Sequence, residues 1–141
     1  MLEATDHYAA SSTVGMLGYE PTQFVTPQTA RKMARRAYQR GLHLSASSAP
    51  VIGIGCTATI STDYPKRGAH HCQVAVCQHG RLTRYAATFL KGKRGRLREE
   101  KLVSHIVLKG LAHACGLSFS LGLALDPKES LQTFTDDPDT Q

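Results

Sequence analysis

Apolar side chains recur at helical spacing in residues 27–40, which predicts an amphipathic helix. Thr26 and Pro27 are typical of a helix start, and Gly41 is typical of a helix end. The apolar positions of this helix are Ala30, Met33, Ala34, Ala37 and Tyr38. The positions predicted to form a basic outer face are Arg31, Lys32, Arg35, Arg36 and Gln39.

Three apolar runs predict strands, over residues 51–55, 72–77 and 83–90. The second and third are separated by residues 78–81, which predict a hairpin turn and antiparallel pairing. The first strand is expected to need a parallel neighbour that the sequence does not supply. The pattern therefore predicts an α/β domain with a small mixed sheet covered by helices.

The carboxyl-terminal part predicts one more helix and then a tail. After the basic stretch 91–98 the apolar positions return to helical spacing, and Gly116 is expected to end this helix. Its apolar face comprises Val103, Ile106, Val107, Gly110, Leu111 and Ala114. Residues 126–141 are rich in Asp, Pro, Ser and Thr, so disorder is predicted there. The predicted organisation is one domain over residues 1–120 and a disordered tail over 121–141.

Composition narrows the class of protein. The 141 residues are 41% hydrophobic and 20% charged, which is ordinary for one globular domain. Neither a membrane span nor a signal peptide is recognisable, so we expect a cytoplasmic protein without membrane partners. The net charge of +6 favours anionic partners without naming one. The four cysteines lack paired spacing and are predicted to be free thiols.

Candidate chemistry is concentrated after the first predicted strand, in a hydroxyl-rich loop over residues 56–62. Thr57 is a candidate substrate-binding hydroxyl, with Ser61 and Thr62 as weaker candidates, because small polar loops at strand ends commonly hold ligands. The alternative is a hydroxyl that satisfies the turn backbone. Cys56 is either a site residue or a small buried thiol.

A basic run before the last helix offers a second set of candidates. Arg94 and Arg98 are predicted to contact a phosphate, because cations at a helix start oppose its dipole unless an anion is present. Nucleic-acid binding is a less favoured alternative, since no aromatic residues interleave with this run. Zinc is disfavoured because the histidines and cysteines in residues 70–79 fit no standard ligand spacing.

Several motifs, in one order along the chain, resemble the C-terminal domain of the competence-damage-inducible protein CinA. Residues 17–19 and 24–34 are similar to its "LLGV … VSEETAREMA" helix, and residues 51–57 to its strand and "TGIAGP" loop. Residues 65–68 and 74–76 look like its "KPVG … IAV", and Arg94 with Arg98 looks like its arginine pair. The resemblance covers about 110 residues.

The resemblance implies a three-layer α/β/α domain and an amidohydrolase of pyridine nucleotide metabolism and NAD salvage. That family hydrolyses the carboxamide of nicotinamide mononucleotide to nicotinate mononucleotide and ammonia, without a metal or cofactor. An activated serine attacks, a tyrosine and a lysine assist, and main-chain N–H groups stabilise the oxyanion. Family members self-associate, so a homo-oligomer is expected. Tyr8 and Thr57 correspond to catalytic positions, and substrate contacts are expected from Cys56, Thr57, Ser61, Thr62, Arg94 and Arg98.

Two departures from the family pattern lower the expected activity. The family's serine motif and its N-terminal strand and helix would precede Met1, so the domain is expected to be incomplete at its N-terminus. The lysine position holds Thr13, whose hydroxyl is neither an amine base nor a fixed positive charge. We therefore expect this chain alone to be inactive. The alternative is a non-catalytic nucleotide-binding or oligomerisation module.

Overall fold

The computed structural model describes residues 2–5, 15–18, 25–46, 48–59, 70–90, 92–117, 122 and 125–136. Two long helices and four strands lie within these ranges. In chain order they are α1 (Pro27–Leu44), β1 (Gly53–Thr59), β2 (His70–Gln78), β3 (Arg81–Phe89), α2 (Arg96–Ala114) and β4 (Ser130–Asp136). The α/β prediction is confirmed.

The four strands form one sheet in the order β1-β2-β3-β4. Each neighbouring pair is antiparallel, so the prediction of a mixed sheet is wrong for the part of the chain that the structure describes. β2 and β3 are joined by the predicted hairpin, whose turn contains Gly80 at a φ of +69°. That φ is in the region where glycine carries no steric penalty.

The helices pack on opposite faces of the sheet. Side chains alternate along a strand, so Val74 and Val76 of β2 point to one face while Ala75 and Cys77 point to the other. The first pair joins Leu102 and Ile106 of α2 in one buried cluster. The second pair joins Ala30, Ala34 and Leu82 in another. The sheet therefore has an α1 face and an α2 face.

α1 begins as predicted and ends later. The Thr26 side chain accepts a hydrogen bond from the Thr29 N–H, and Pro27 follows in the first turn. The predicted end at Gly41 is wrong, because the helix continues to Leu44. A Cβ at Gly41 would stand 2.5 Å from Cγ1 of Val51, so this glycine makes room for the chain that enters β1.

The predicted basic outer face of α1 is also partly wrong. Arg36 and Gln39 are exposed. Arg31 instead points to the sheet, where only 14% of its side chain is accessible, and Arg35 has buried guanidinium nitrogens. Arginine can lie on the flank of a packed helix because its long stem covers apolar surface while its head finds polar partners.

β1 starts two residues later than predicted and extends to Thr59. The residues predicted to open a loop, Cys56 to Thr59, are strand because they pair with β2; Thr57, for example, lies opposite Gln73. The glycines of this strand allow a close approach of α1. A Cβ at Gly53 would stand 2.3 Å from the Ala34 carbonyl oxygen, and one at Gly55 would stand 2.4 Å from that of Ala30.

The predicted disorder of the tail is wrong over residues 130–136, which form β4. This strand pairs with β3 from Leu82↔Asp136 to Thr88↔Ser130. Residues 132–135 alternate larger side chains with threonine, a composition that suits a strand once a partner edge is available. In the described residues, no helix has the length and apolar character needed to cross a membrane.

Candidate functional site

Both helices begin at the same end of the sheet. α1 runs antiparallel to β1, because Ala30 lies against Gly55 while Ala34 lies against Gly53, nearer the start of the strand. The first turn of α2 lies beside the start of β2, through a contact between Glu99 and His70. The carboxyl end of β1 and two positive helix ends thus share one end of the sheet, which favours an anion there.

Thr57 lies near this end, on the α1 face, and is half-buried. Its cross-strand neighbour is Gln73 of β2. The Gln73 Oε1 is buried and has no hydrogen-bond partner among the described residues. A buried acceptor without a donor costs about 1–3 kcal/mol, so this amide is poised to accept a hydrogen bond from a ligand.

Cys56 lies next to Thr57 in the chain but on the opposite, α2 face, where it packs against the hydrophobic cluster. Burial raises the pKa of its thiol to about 11. A thiol with that pKa is protonated at neutral pH and is a poor nucleophile. Alternation along β1 therefore separates two residues that the sequence assigned to one site.

A buried histidine–carboxylate pair lies on the α2 face. His70 Nδ1 and Glu99 Oε1 are 3.0 Å apart, and their side chains are 5% and 0% accessible. A carboxylate that holds one imidazole nitrogen is the arrangement that orients a general base. Thr57 projects from the other face of the sheet, so this pair cannot activate its hydroxyl.

Arg94 is held by Glu129, just before β4. The guanidinium donates from Nη1 and Nη2 to the two carboxylate oxygens at 2.5 and 2.7 Å. The same carboxylate accepts the N–H groups of Leu90 and Asp126. The positive charge of Arg94 is therefore neutralised below the surface, since the side chains of Arg94 and Glu129 are 9% and 0% accessible. The hydrogen bonds from Arg94, opposed by burial, lower the pKa of Glu129 to about 2.

Much of the remaining basic run is ion-paired as well. Lys93 contacts Asp126, and Arg96 Nε is 3.0 Å from Glu100 Oε1. Arg98, in the first turn of α2, is exposed. This pairing reduces the positive potential that a nucleic-acid backbone would meet, which weighs against the nucleic-acid alternative.

Three predicted site residues, Tyr8, Ser61 and Thr62, lie outside the described residues, as does Thr13. In the described ranges no group of three or more His, Cys, Asp or Glu side chains could hold a metal ion. Of the predicted site residues, Thr57 lies on the α1 face. Cys56 lies on the α2 face, and Arg94 is engaged by Glu129 instead.

Sequence reasoning missed Gln73 and Glu99, and it considered His70 only as a disfavoured zinc ligand. Gln73 could have been found, because it interrupts an apolar strand at a position that alternation assigns to the same face as Ala75. His70 and Glu99 come from distant segments, and neither position carries a local signal.

No protein-family model, curated protein or solved structure matches the chain.

Proposed function

We propose that this chain is a CinA C-terminal-like domain that binds a pyridine nucleotide carboxamide on the α1 face, at Thr57 and Gln73. The observation that carries the proposal is the buried Gln73 Oε1, which lacks a hydrogen-bond donor among the described residues and lies across from Thr57. The N–H group of a nicotinamide carboxamide is a donor of the required kind. Thr57, which lies across from Gln73 on the same face of the sheet, offers such a ligand a second polar contact.

A positive helix end supports the nucleotide part of the proposal. The first turn of α1 lies at the same end of the sheet as Thr57, and the positive end of a helix dipole favours an anion such as a phosphate. The ligand would be nicotinamide mononucleotide, held by its carboxamide at one end and its phosphate at the other. The proposed location is the cytoplasm, where this nucleotide is metabolised.

We do not expect this chain alone to hydrolyse the nucleotide. The family reaction needs a nucleophile beside a base. The described candidates do not meet that need, because the Cys56 thiol has a raised pKa and the His70–Glu99 pair lies on the other face of the sheet. Binding without hydrolysis is the function that these contacts favour.

A second candidate function is self-association through β1. β1 is at the edge of the sheet, and its outer side has no strand partner among the described residues. An edge with unpaired backbone groups can pair with a second copy. Sedimentation of the purified chain at several concentrations tests this candidate: we expect a dimer or larger homo-oligomer, and a monomer at all concentrations would contradict it.

Calorimetric titration with nicotinamide mononucleotide tests the main proposal. We expect saturable binding that Gln73→Met weakens about tenfold, or about 1.4 kcal/mol, the usual scale of one buried hydrogen bond. The matched control is Gln132→Met, because Gln132 is an exposed glutamine on the same face of the sheet. Thr57→Val should weaken binding similarly, with the exposed Thr88→Val as its control.

Comparison of the amide with the acid sharpens the test. Nicotinate mononucleotide presents a carboxylate, which cannot donate to Gln73 Oε1, so the wild-type chain should prefer the amide. Gln73→Met should lose that preference. Equal binding of both nucleotides by the wild-type chain, or equal effects of Gln73→Met and Gln132→Met, would rule out the proposed contact. Ammonia release should stay at background.

A further inference from the structure

Three arginines converge on the α1 face, beside the helix rather than at the end of the sheet. Arg31 and Arg84 both contact Asp136 Oδ2, at 3.5 and 3.2 Å. Arg35 is one helical turn after Arg31 and therefore lies on the same side of α1. These residues, Arg31, Arg35, Arg84 and Asp136, form what we call the arginine patch.

The cross-strand pairing locates Arg35 above the same part of the sheet. Ala34, the residue before Arg35, lies against Gly53, and Gly53 pairs with Cys77. Cys77 pairs with Leu82, which pairs with Asp136. The part of α1 that carries Arg35 thus lies over the row of the sheet that ends at Asp136.

The arginine patch has more positive than negative charge. Counted over these four residues alone, three guanidinium groups and one carboxylate give a formal charge of about +2 in a partly desolvated place. Arg35 Nε and Nη2 are buried and have no hydrogen-bond partner among the described residues. Burying a charged donor without a partner costs several kcal/mol, and a bound anion would offset that cost.

The sheet next to the arginine patch is open to a ligand. α1 packs mainly over β1 and β2, and on the α1 face of β4 the side chain of Gln132, two residues before Phe134, is exposed. Phe134 is 36% accessible, and its ring centroid lies 4.1 Å from Arg84 Cζ. This cation–π contact fixes the Arg84 guanidinium in place, which lowers the entropy lost when an anion binds.

We propose that the arginine patch binds a phosphoryl group, with the Arg35 guanidinium as its main ligand. Arginine matches phosphate because its planar fork donates two parallel hydrogen bonds to two oxygens. The site goes beyond the proposed nucleotide function, because it uses different residues from Thr57 and Gln73. The phosphoryl group belongs either to free phosphate or to an organic phosphate whose other end lies against Phe134.

Calorimetric titrations of the full chain with inorganic phosphate and with phenyl phosphate, at constant ionic strength, test the proposal. We expect saturable binding that Arg35→Met weakens at least tenfold. Arg36→Met is the matched control, because Arg36 is the next residue of α1 and is exposed. It should change the affinity less than twofold. If phenyl phosphate binds more tightly, and Phe134→Leu removes the gain, the ligand is an organic phosphate; equal affinities assign free phosphate.

Thermal unfolding distinguishes a loss of phosphate binding from a failure of the variant to fold. Without phosphate, Arg35→Met should unfold at a higher temperature than the wild-type chain, because an uncompensated buried charge has been removed. Phosphate should raise the unfolding temperature of the wild-type chain but not of the variant. Arg35→Lys keeps the charge and loses the planar fork, so its phosphate affinity should fall between those of the wild-type chain and Arg35→Met.

Absence of saturable phosphate binding by the wild-type chain would overturn the proposal, as would equal losses in Arg35→Met and Arg36→Met. The sequence places two carboxylates, Asp137 and Asp139, directly after β4. If phosphate binds only after Asp137→Asn and Asp139→Asn are combined, those carboxylates are the natural partners of Arg35, and the proposal is wrong. Nucleotide binding at Thr57 and Gln73 can fail or succeed independently of these outcomes.

Discussion

Gly55 of β1 and Ala30 of α1 approach so closely that a Cβ on the glycine would stand 2.4 Å from the alanine carbonyl oxygen. Both residues are buried, and Ala30 is fully inaccessible. The glycines of this strand, which resemble a ligand-binding turn in sequence, are thus explained by helix packing. The proposed ligand contacts are made instead by the side chains of Thr57 and Gln73.

This contact predicts that Gly55→Ala destabilises the protein by about 2 kcal/mol, because the helix must move away from the sheet. Urea unfolding followed by circular dichroism measures the loss. The control is Gly122→Ala, because a Cβ at Gly122 meets nothing within 4 Å. It should change the unfolding free energy by less than about 0.5 kcal/mol. Similar changes in unfolding free energy for the two variants would show that α1 can move away from the sheet without loss of stability.

Glu129 predicts a loss of stability in acid. Its pKa is lowered from 4.5 to about 2 in the folded chain, so its stabilising contribution is complete above pH 4.5 and disappears as the pH falls towards 2. Urea unfolding at several pH values between 6 and 2.5 measures this. Glu129→Gln should be less stable than wild type at pH 6, and the difference should shrink across that window.

The control for Glu129 is Glu100→Gln. Glu100 pairs with Arg96 at the surface, where its side chain is 45% accessible, and exposed ion pairs contribute little. This variant should follow the wild-type curve at all pH values. A constant difference between Glu129→Gln and wild type down to pH 2.5 would contradict the low pKa of Glu129.

The cysteines are expected to differ in reactivity towards iodoacetamide at pH 8. Cys115 is exposed, whereas burial raises the pKa of Cys56 to about 11 and that of Cys72 to about 12. Mass spectrometry of the folded chain should therefore find Cys115 modified first and Cys56 modified only after urea is added. Rapid modification of Cys56 in the folded chain would reopen the possibility that it is a nucleophile.

The His70–Glu99 pair predicts a large cost for Glu99→Ala. Removing one partner of a buried pair costs about 3–5 kcal/mol, because the other polar group is left without compensation. Glu100→Ala, at the next position of α2, is the matched control and should cost under about 1 kcal/mol. Glu99→Gln keeps a hydrogen-bonding partner for His70 and should fall between them. Equal unfolding free energies for Glu99→Ala and Glu100→Ala would contradict the pairing.

Local signals were sufficient for the parts of the fold that depend on neighbouring residues. Thr26 and Pro27 correctly mark the start of α1, and Gly80 correctly marks the β2–β3 turn. β4 could not be predicted in this way, because a polar segment becomes a strand only when the edge of β3 is available to it. The direction of Arg31 likewise depends on Asp136, more than a hundred residues later.

The candidate site was only partly predictable for the same reason. The sequence identified Thr57, but it grouped it with Cys56, which strand pairing with β2 turns to the opposite face. It also treated Arg94 as available to a phosphate, whereas Glu129 engages both of its terminal nitrogens. Side-chain direction depends on register, and register is set by the partner strand.

β4 has a consequence for the order of folding. β2 and β3 are joined by a two-residue turn, so their hairpin can form from local contacts, whereas β4 reaches β3 only after residues 90–129 have been brought together. Such non-local pairing forms slowly because the chain entropy of the long loop is lost first. The arginine patch includes Asp136 of β4. We therefore expect β4 to join the sheet last, and the proposed anion site would be assembled only in the finished domain.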